Sequence, residues 1–587
     1  MSFQRRSTEP EFKSKPVETI HVFRHLDPSA PIVLPEKASN RKCTDIAFLI
    51  VFVLCQIILI VSSTYFVWVS DPKITELGED GCGNTCGIKN VVKYNETCPL
   101  EDYTDYPLEL FTSETCVSRK ECEEMDMVVY YIYCYIKLEP NLTEEEANAI
   151  KLLISMEDSE PYLKIIYFVL TPIVASVFSI AVFGLFKWDA FFAFYFFAIF
   201  TSILFILAVP GLWYLIYYLV TTKGFLNRAV WLVYVLTIFC TLISISLPIL
   251  LFFRRRKTKF LIQIYREMIP AIFKSNFMLF LPMLAVITIM ILGFVWMILF
   301  EHALSVKIPE NSSLPAGRLV YMVFLGFMAY WIFLFALHCQ GMIASGAVAG
   351  YYFARDKDSL KNQYLKYSGI VVRYHLGTVA AVSLVIVVIK GIKMIIHSLR
   401  DHEFEAIEIA LNVLCHCIEE FLHYISTKAY IMTAIHGKNF LKSGKRAIRM
   451  MWIHFLDLIQ VDGFNLVALF SAGVTIISIC LSVTYTILND EHRYVIWFAL
   501  IVTAASATVT LIFFFTLISV SISTLFLCYC EDRHLNDDSD QPYFMSQELA
   551  TAVSEALEFA AIRRAEKAHQ LRQRSRHNQQ SNSQIVQ

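Results

Sequence analysis

Apolar segments long enough to cross a membrane recur along the whole of this 587-residue chain. A helix needs about 20 apolar residues to span the hydrocarbon of a bilayer, and lipid offers no water to hydrogen-bond open backbone groups. The pattern therefore predicts nine spanning helices. They cover residues 46–69, 163–186, 190–219, 229–253, 277–300, 319–341, 376–399, 463–487 and 495–527.

One further segment, residues 404–427, is long enough to cross but carries the ionisable residues Glu405, Glu408, His416, Glu419, Glu420 and His423. The neighbouring loops decide whether it crosses, because cytosolic loops carry an excess of Lys and Arg. If it crosses, the basic residues between 438 and 449 lie in the cytosol and the acidic turn 489–492 lies outside. If it does not, both lie on the wrong side. The sequence therefore predicts ten transmembrane helices with both termini in the cytosol.

The same rule assigns the remaining polar segments to one side of the membrane. Residues 1–45 form a cytosolic tail with the basic pair Arg41 and Lys42 just before the first span. Residues 162–527 form the membrane domain, and residues 528–587 form a second cytosolic tail. Asn311 begins a glycosylation sequon one crossing away from two basic cytosolic loops, so we expect it outside.

Residues 70–161, between the first and second spans, have the composition of a large extracellular loop. The loop contains six of the 15 cysteines: Cys82, Cys86, Cys98, Cys116, Cys122 and Cys134. Six cysteines in an extracellular segment predict up to three disulfide bonds, and the sequence leaves their pairing open. Asn95 and Asn141 begin two further glycosylation sequons in this loop.

Residues 437–460 alternate basic positions with apolar ones such as Phe440, Met451 and Trp452. This pattern predicts a helix that lies in the cytosolic interface of the membrane with its apolar face towards the lipid. An ordinary packed helix between two spans is the alternative.

Composition supports a multi-pass membrane protein. The chain is 56% hydrophobic and 17% charged, with a mean hydropathy of +0.52, whereas soluble proteins average about 25% charged residues. A formal net charge of −2 gives no basic excess, so nucleic acid is not an expected partner. The sequence contains no P-loop, GxSxG or HExxH motif, so we expect neither an enzyme nor a cofactor. Cys415, His416 and Cys417 point to different faces of a helix, so we expect no metal site.

Ionisable residues inside the predicted spans are the main candidates for function, because each costs about 2.5 to 3.5 kcal/mol to insert. One face of the 404–427 helix carries Glu408, Asn412, His416, Glu419 and His423, at intervals of three or four residues. The preceding span contributes Lys390 and Lys393. Lys393 and Glu408 lie at similar depths below the outer ends of their helices, so we predict a contact between them. The alternative is that these groups only neutralise one another between packed helices.

Aromatic side chains are the second group of candidates. Tyr330 and Trp331 lie near the middle of their span, before the small-residue run 341–350, where helices can pack closely or break. A quaternary ammonium offers no hydrogen-bond donor, so ring faces hold it at about 0.5 to 2 kcal/mol each, helped by a carboxylate. Aromatic residues otherwise serve in the core or in the interfacial belt of a membrane protein.

Several motifs resemble those of the choline transporter-like family, solute carrier family 44. They are YIMTAIHGKNF at 430–440, LFLCYCED at 525–532, PYFMS at 542–546, RKCTD at 41–45 and Asp71-Pro72. The resemblance covers most of the chain. It implies a ten-helix protein of the plasma membrane, with internal membranes as a second location. It also implies sodium-independent uptake of choline and related amines for phospholipid synthesis.

Two functional hypotheses from different classes follow. In the first, the protein carries choline or a similar small organic cation, with Tyr330, Trp331 and Glu419 binding the substrate. Glu408 or His416 then exchanges protons, and Lys390 and Lys393 balance the charge. In the second, the protein handles lipid or organises membrane, and its extracellular loop binds a partner.

Overall fold

A computed structural model describes residues 34–70, 80, 82, 84–90, 99, 101–110, 115–125, 127–130, 133–136, 161–223, 228–274, 278–306, 314–354, 356–357, 360, 362–398, 405–453, 455–488, 493–536 and 544. The helices are α1 (Ile46–Val69), α2 (Arg119–Glu124), α3 (Pro161–Trp188), α4 (Ala190–Lys223), α5 (Arg228–Lys274), α6 (Phe280–Leu304), α7 (Leu314–Tyr352), α8 (Gln363–Ile370), α9 (Leu376–Ser398), α10 (Glu405–His436), α11 (Phe440–Ile453), α12 (Phe455–Ile487) and α13 (Arg493–Asn536). A π-helical turn, Val371–His375, joins α8 to α9.

Eight stretches in the described ranges are long and apolar enough to cross a membrane. They lie in α1, α3, α4, α6, α7, α8 with α9, α12 and α13, which confirms a multi-pass membrane fold. The two other predicted crossings correspond to α5 and α10, which are continuous helices of 47 and 32 residues. α5 contains a shorter apolar stretch, Val233–Ser246. The total of ten crossings therefore stays a prediction.

α13 is the central helix of the bundle and packs against α3, α7 and α12. Its residues from Val520 to Asp532 are buried without interruption, so no face of this part of the helix is left for lipid or water. α1 and α6 lie at the periphery, where most of their apolar side chains are exposed. Exposed apolar helix faces are what a protein embedded in lipid requires.

The small-residue run 341–350 lets two tyrosine rings approach the backbone of α7. A Cβ atom on Gly346 would lie 2.4 Å from Cδ1 of Tyr367, and one on Gly341 would lie 2.7 Å from the hydroxyl oxygen of Tyr430. Close packing at this run is therefore present, but α7 passes through it without a break. The local departure from α-helix occurs instead between α8 and α9.

The loop between the first two predicted spans contains a small four-stranded sheet. Its strands are β1 (Leu108–Leu110), β2 (Thr115–Val117), β3 (Met127–Tyr130) and β4 (Tyr133–Ile136), in the order β2-β1-β4-β3. β1 pairs antiparallel with β2 and parallel with β4, and β3 pairs antiparallel with β4. Disulfide bonds join Cys86 to Cys116 and Cys122 to Cys134, and Cys82 is also disulfide-bonded. The predicted disulfide-bonded loop is confirmed, whereas Cys98, Asn95, Asn141 and Asn311 lie outside the described residues.

The segment predicted to lie in the interface, residues 437–460, divides between two helices. α11 ends at Ile453 and α12 begins at Phe455, so the last residues of the segment belong to a spanning helix. α11 buries Ser443, Ala447, Met450 and Met451. It exposes Leu441 and Trp452, the latter at 82% of its surface. An apolar face turned away from the protein is what an interfacial helix presents to lipid.

Residues 34–45, here called the N-terminal segment, pack against one end of the helix bundle. The predicted topology places this end in the cytosol. The Glu36 amide donates to the carbonyl of Ile435 at 3.0 Å, and the Thr44 amide donates to that of Tyr374 at 2.9 Å. A Cβ atom on Gly377 would lie 2.3 Å from the backbone oxygen of Thr44. Only glycine therefore allows this segment to approach α9 so closely.

We expect Gly377→Ala to destabilise the protein by about 1 to 3 kcal/mol, because the added methyl group forces the N-terminal segment away from α9. The measurement is the thermal unfolding temperature of the purified protein in detergent. Gly369→Ala is the matched control, since a Cβ atom there meets nothing within 4 Å. A Gly377→Ala protein that unfolds at the temperature of the control would contradict this packing.

Candidate functional site

Glu419 of α10 forms an ion-pair cluster with two lysines of α9. Lys393 Nζ donates to Glu419 Oε2 at 3.1 Å, and Lys390 Nζ lies 3.5 Å from Oε1. His416 Nδ1 lies 4.0 Å from Oε2. Glu419 is only 8% exposed, so the two ammonium groups compensate the cost of burying its charge. The structure therefore brings together four of the residues predicted to form a site.

Tyr330 of α7 completes this cluster from a third helix. Its ring centroid lies 5.2 Å from Lys390 Nζ, within the range of a cation–π contact. The Lys390 ammonium thus has an aromatic ring and a carboxylate as neighbours. These are the two kinds of group that hold an organic cation. We refer to Tyr330, Lys390, Lys393 and Glu419 as the Glu419 cluster.

Trp331 lies on a different side of α7 from the Glu419 cluster. Its ring contacts Phe52 of α1 with centroids 5.0 Å apart and Phe327 with centroids 5.7 Å apart. Trp331 is 1% exposed, and its indole nitrogen has no hydrogen-bond partner among the described residues. Successive helix positions are separated by about 100°, so Tyr330 and Trp331 cannot both face the same partner. The structure does not bring Trp331 to Glu419.

The structure pairs Lys393 with Glu419. The sequence predicts Glu408, whose side chain lies outside the described residues, as does that of Asn412. The observed partner, Glu419, lies about 16 Å further along α10 than Glu408 at about 1.5 Å per residue. The depth comparison assumed that α9 and α10 have level outer ends. The ion pair indicates instead that the outer ends of the two helices are offset by about 14 Å, or two and a half turns.

A second buried charge pair, which the sequence did not single out, joins α10 to α12. Lys428 Nζ lies 3.1 Å from Asp462 Oδ2 and donates to Ser523 Oγ of α13 at 2.6 Å. The Tyr424 hydroxyl donates to the same carboxylate at 2.6 Å. Lys428 is 2% exposed. Lys428 and Asp462 each lie one residue outside the predicted spans 404–427 and 463–487. In the sequence they therefore look like the charged residues that commonly flank a spanning helix on its cytosolic side.

Polar contacts continue from this pair to α5. The side chain of Asn465 on α12 accepts a hydrogen bond from the Tyr265 hydroxyl at 2.7 Å and donates to Ser519 Oγ at 3.2 Å. Asn465 is 3% exposed and Tyr265 is 1% exposed. A buried polar layer thus crosses α5, α10, α12 and α13. Ionisable groups inside a membrane bundle are functional candidates by default, because they are costly to insert.

Glu531 and Asp532, at the end of the LFLCYCED motif, join α13 to three other helices. Glu531 is fully buried and accepts two hydrogen bonds from Arg446 of α11, at 2.7 and 2.5 Å. His436 Nε2 lies 3.1 Å from the same carboxylate. The hydroxyl of Tyr352 on α7 donates to Asp532 at 3.0 Å. Two-point pairing of an arginine with a carboxylate is among the strongest side-chain interactions, so this end of the bundle is held firmly together.

The RKCTD motif of the N-terminal segment closes the same end of the bundle. Arg41 is 4% exposed and donates to the carbonyl of Ala434 at 2.7 Å and to His375 Nε2 at 3.0 Å. Burial lowers the pKa of its guanidinium. Since arginine has only donors, Nε2 of His375 must be the unprotonated nitrogen. Nδ1 then donates to Thr44 Oγ1, 2.9 Å away.

We expect Lys428→Met and Asp462→Asn each to destabilise the protein by about 3 to 5 kcal/mol, because each leaves one buried charge uncompensated. The double variant should lose less than the sum of the two, since it removes both charges. Thermal unfolding of the four proteins in detergent measures this coupling. Arg266→Gln, which removes an exposed ion pair of 3.9 Å with Asp189, is the control and should change little. Strictly additive losses would show that the two groups do not interact.

The chain is similar to known proteins of one family. The family model described as "Plasma-membrane choline transporter" matches residues 238–534. Choline transporter-like protein 3 of Homo sapiens is 26% identical over 351 residues, covering 56% of this chain and 53% of that protein. Choline transporter-like protein 1 of Torpedo marmorata is 33% identical over 236 residues, covering 38% and 36%. Choline transporter-like 1 of Aedes aegypti is 23% identical over 665 positions, covering 91% and 94%.

These alignments differ in extent. The chain spans about half of the human relative's length and about a third of the Torpedo relative's length, but nearly all of the Aedes relative. The family model extends from α5 to α13 and includes the Glu419 cluster, the Lys428–Asp462 pair and the LFLCYCED motif. Because this match covers half of the sequence, the chain belongs to the choline transporter-like family.

Proposed function

We propose that this protein carries choline, or a closely related organic amine, across the plasma membrane without coupling to sodium, and so supplies phospholipid synthesis. Membership of the family and the names of its relatives support the substrate class. Sodium independence rests on the family resemblance of the sequence motifs. The observation that carries the proposal is the Lys390 ammonium group, placed beside the Tyr330 ring and the Glu419 carboxylate.

Lys390 stands in for the substrate in this proposal. Choline has a permanent positive charge and no donor on its nitrogen, so an aromatic face and a carboxylate are suitable partners. Both are already in contact with the Lys390 ammonium group. Two lysines beside one carboxylate leave excess positive charge, which opposes the entry of a third cation. Choline must therefore displace Lys390, whose side chain is 50% exposed and has a flexible stem.

Displacement of one cation by another has a consequence for the transport cycle. The charge beside Glu419 stays nearly constant whether Lys390 or choline occupies the position. The empty carrier then needs no inorganic cation to neutralise this carboxylate before it returns. This supports a sodium-independent cycle. Trp331 would take part only after a rotation of α7, since it now packs against α1.

Proton exchange is assigned to His416 in this proposal. Its side chain is 60% exposed and lies 4.0 Å from Glu419. Protonation of His416 would add a positive charge beside Glu419. Glu408 lies on the same face of α10 and is the second candidate. Uptake coupled in this way would depend on external pH.

The closed end of the bundle supports a particular state of the carrier. The N-terminal segment and the Glu531 contacts join α7, α9, α10, α11 and α13 at the end that the predicted topology places in the cytosol. A substrate site reached from the cytosol would require these contacts to separate. In this proposal we therefore interpret the structure as a conformation in which the Glu419 cluster is not reached from the cytosol.

We expect Glu419→Gln to lower choline uptake at least tenfold, because it removes the negative charge that holds the cation. The measurement is uptake of labelled choline in cells, normalised to protein at the surface, with external sodium or lithium. Glu420→Gln is the matched control, since Glu420 is the exposed neighbour in the same helix.

Three outcomes would contradict the proposal in different ways. Unchanged uptake by Glu419→Gln would remove this carboxylate from the mechanism. Wild-type uptake that disappears in lithium would contradict sodium independence. No wild-type uptake of choline, with the protein at the surface, would favour a lipid-handling role.

We expect Lys390→Met to lower the KM for choline severalfold, because the resident ammonium no longer competes for the Tyr330 ring. Lys393→Met is the control, since Lys393 pairs with the same carboxylate but has no described contact with that ring. KM and the maximal rate of both variants are measured from concentration-dependent uptake. Equal changes in the two variants would show that net charge alone matters and that Lys390 does not occupy the substrate position.

A further inference from the structure

A cavity of about 850 Å³ lies where α3 turns into α4 against the last turns of α5. Its wall includes the apolar side chains Phe186, Ile269 and Pro270. Its rim carries three cations: Lys187, Arg266 and Lys274. This cavity lies on different helices from the Glu419 cluster, so the proposed transport function does not use it.

The rim has an excess of positive charge. Asp189 is the one carboxylate among the residues that line the cavity in the described part of the chain. Arg266 Nη2 lies 3.9 Å from Asp189 Oδ1, and both side chains are about half exposed, so this pair is weak. Lys187 Nζ lies 4.4 Å from the centroid of the Phe273 ring, and Lys274 Nζ donates to the carbonyl of Lys357. By residue count, three cations against one carboxylate give the described lining a net positive charge.

The residues around the cavity are typical of the membrane interface. Trp188, at the turn between two spanning helices, is 77% exposed, and Phe192 on the next turn is 46% exposed. Exposed aromatic residues at helix ends are typical of the headgroup region. α5 also carries the basic run RRRKTK at 254–259, less than two turns before the buried residue Tyr265. In the predicted topology this end of the helices faces the cytosol, where the leaflet is rich in anionic lipids.

We propose that this cavity binds the headgroup of an anionic phospholipid of the inner leaflet. The three cations would hold phosphate oxygens, and the apolar wall would contact the glycerol and the first methylene groups. The volume lies within the range of about 300 to 1,000 Å³ that is typical of ligand pockets and is larger than a single phosphate requires. Phosphatidylcholine binds less well here, because its terminal ammonium group meets cations of the same sign.

The test uses the purified full-length protein in a neutral detergent and native mass spectrometry. The probes are dioctanoyl phosphatidylinositol 4-phosphate, dioctanoyl phosphatidylcholine and water-soluble inositol 1,4-bisphosphate. We expect the phosphoinositide to bind at least tenfold more tightly than either of the other two. Equal binding of the soluble bisphosphate would show that the cavity takes a free phosphate compound and would overturn the lipid assignment.

Two charge-matched variants then locate the binding. K187Q/R266Q/K274Q removes the rim cations and should lower phosphoinositide affinity at least tenfold. K442Q/K445Q/R449Q removes three cations from α11 and should leave the affinity within twofold. Equal loss in both variants, or none in the first, would overturn the proposal. If the triple variant does not fold, the single variant Arg266→Gln takes its place, because Arg266 is exposed. Its affinity for the phosphoinositide should fall severalfold. Unchanged affinity in this variant would also overturn the proposal.

Discussion

A charged side chain inside a helix bundle in lipid is stable only when a neighbouring helix supplies its counter-charge and hydrogen bonds. This constraint acts at two levels of the bundle. Lys390 and Lys393 of α9 meet Glu419 of α10, and Lys428 of α10 meets Asp462 of α12. Each contact sets the rotation and the offset of two helices relative to each other. The arrangement of the bundle therefore depends on where its few charges lie.

The same groups are well suited to a carrier that alternates between two conformations. Charged side chains on neighbouring helices can exchange ion-pair partners without leaving an unpaired charge in lipid. Apolar packing does not select particular partners in this way. In the proposed function the Glu419 cluster is the cation site, and the polar layer around Asp462 lies between it and the closed end of the bundle. Glu531, Asp532 and Arg41 hold that end together through α13, α11 and the N-terminal segment. The family motifs at 41–45 and 525–532 thus coincide with the closure contacts.

Much of the fold could be predicted from the sequence, because a helix that crosses a bilayer must be about 20 residues long and mostly apolar. Both properties can be recognised in a single segment of the chain. The disulfide-bonded loop could be predicted from its cysteines, although its small sheet could not. The predicted interfacial helix was extended too far, since Phe455 already begins α12. For the candidate site, Glu419, Lys390 and Tyr330 were selected from the sequence by residue type and span. Trp331 was grouped with them although consecutive positions on a helix face different neighbours.

By itself, the sequence determined that this is a multi-pass membrane protein of the choline transporter-like family with a disulfide-bonded loop. Composition, segment length and motifs suffice for those conclusions, because none of them depends on which helices touch. Only the tertiary structure decided that Lys393 pairs with Glu419, and that Lys428 and Asp462 form a buried pair. Partner choice depends on the offset and rotation of packed helices. These are set by contacts among many distant residues and are not encoded in any single segment.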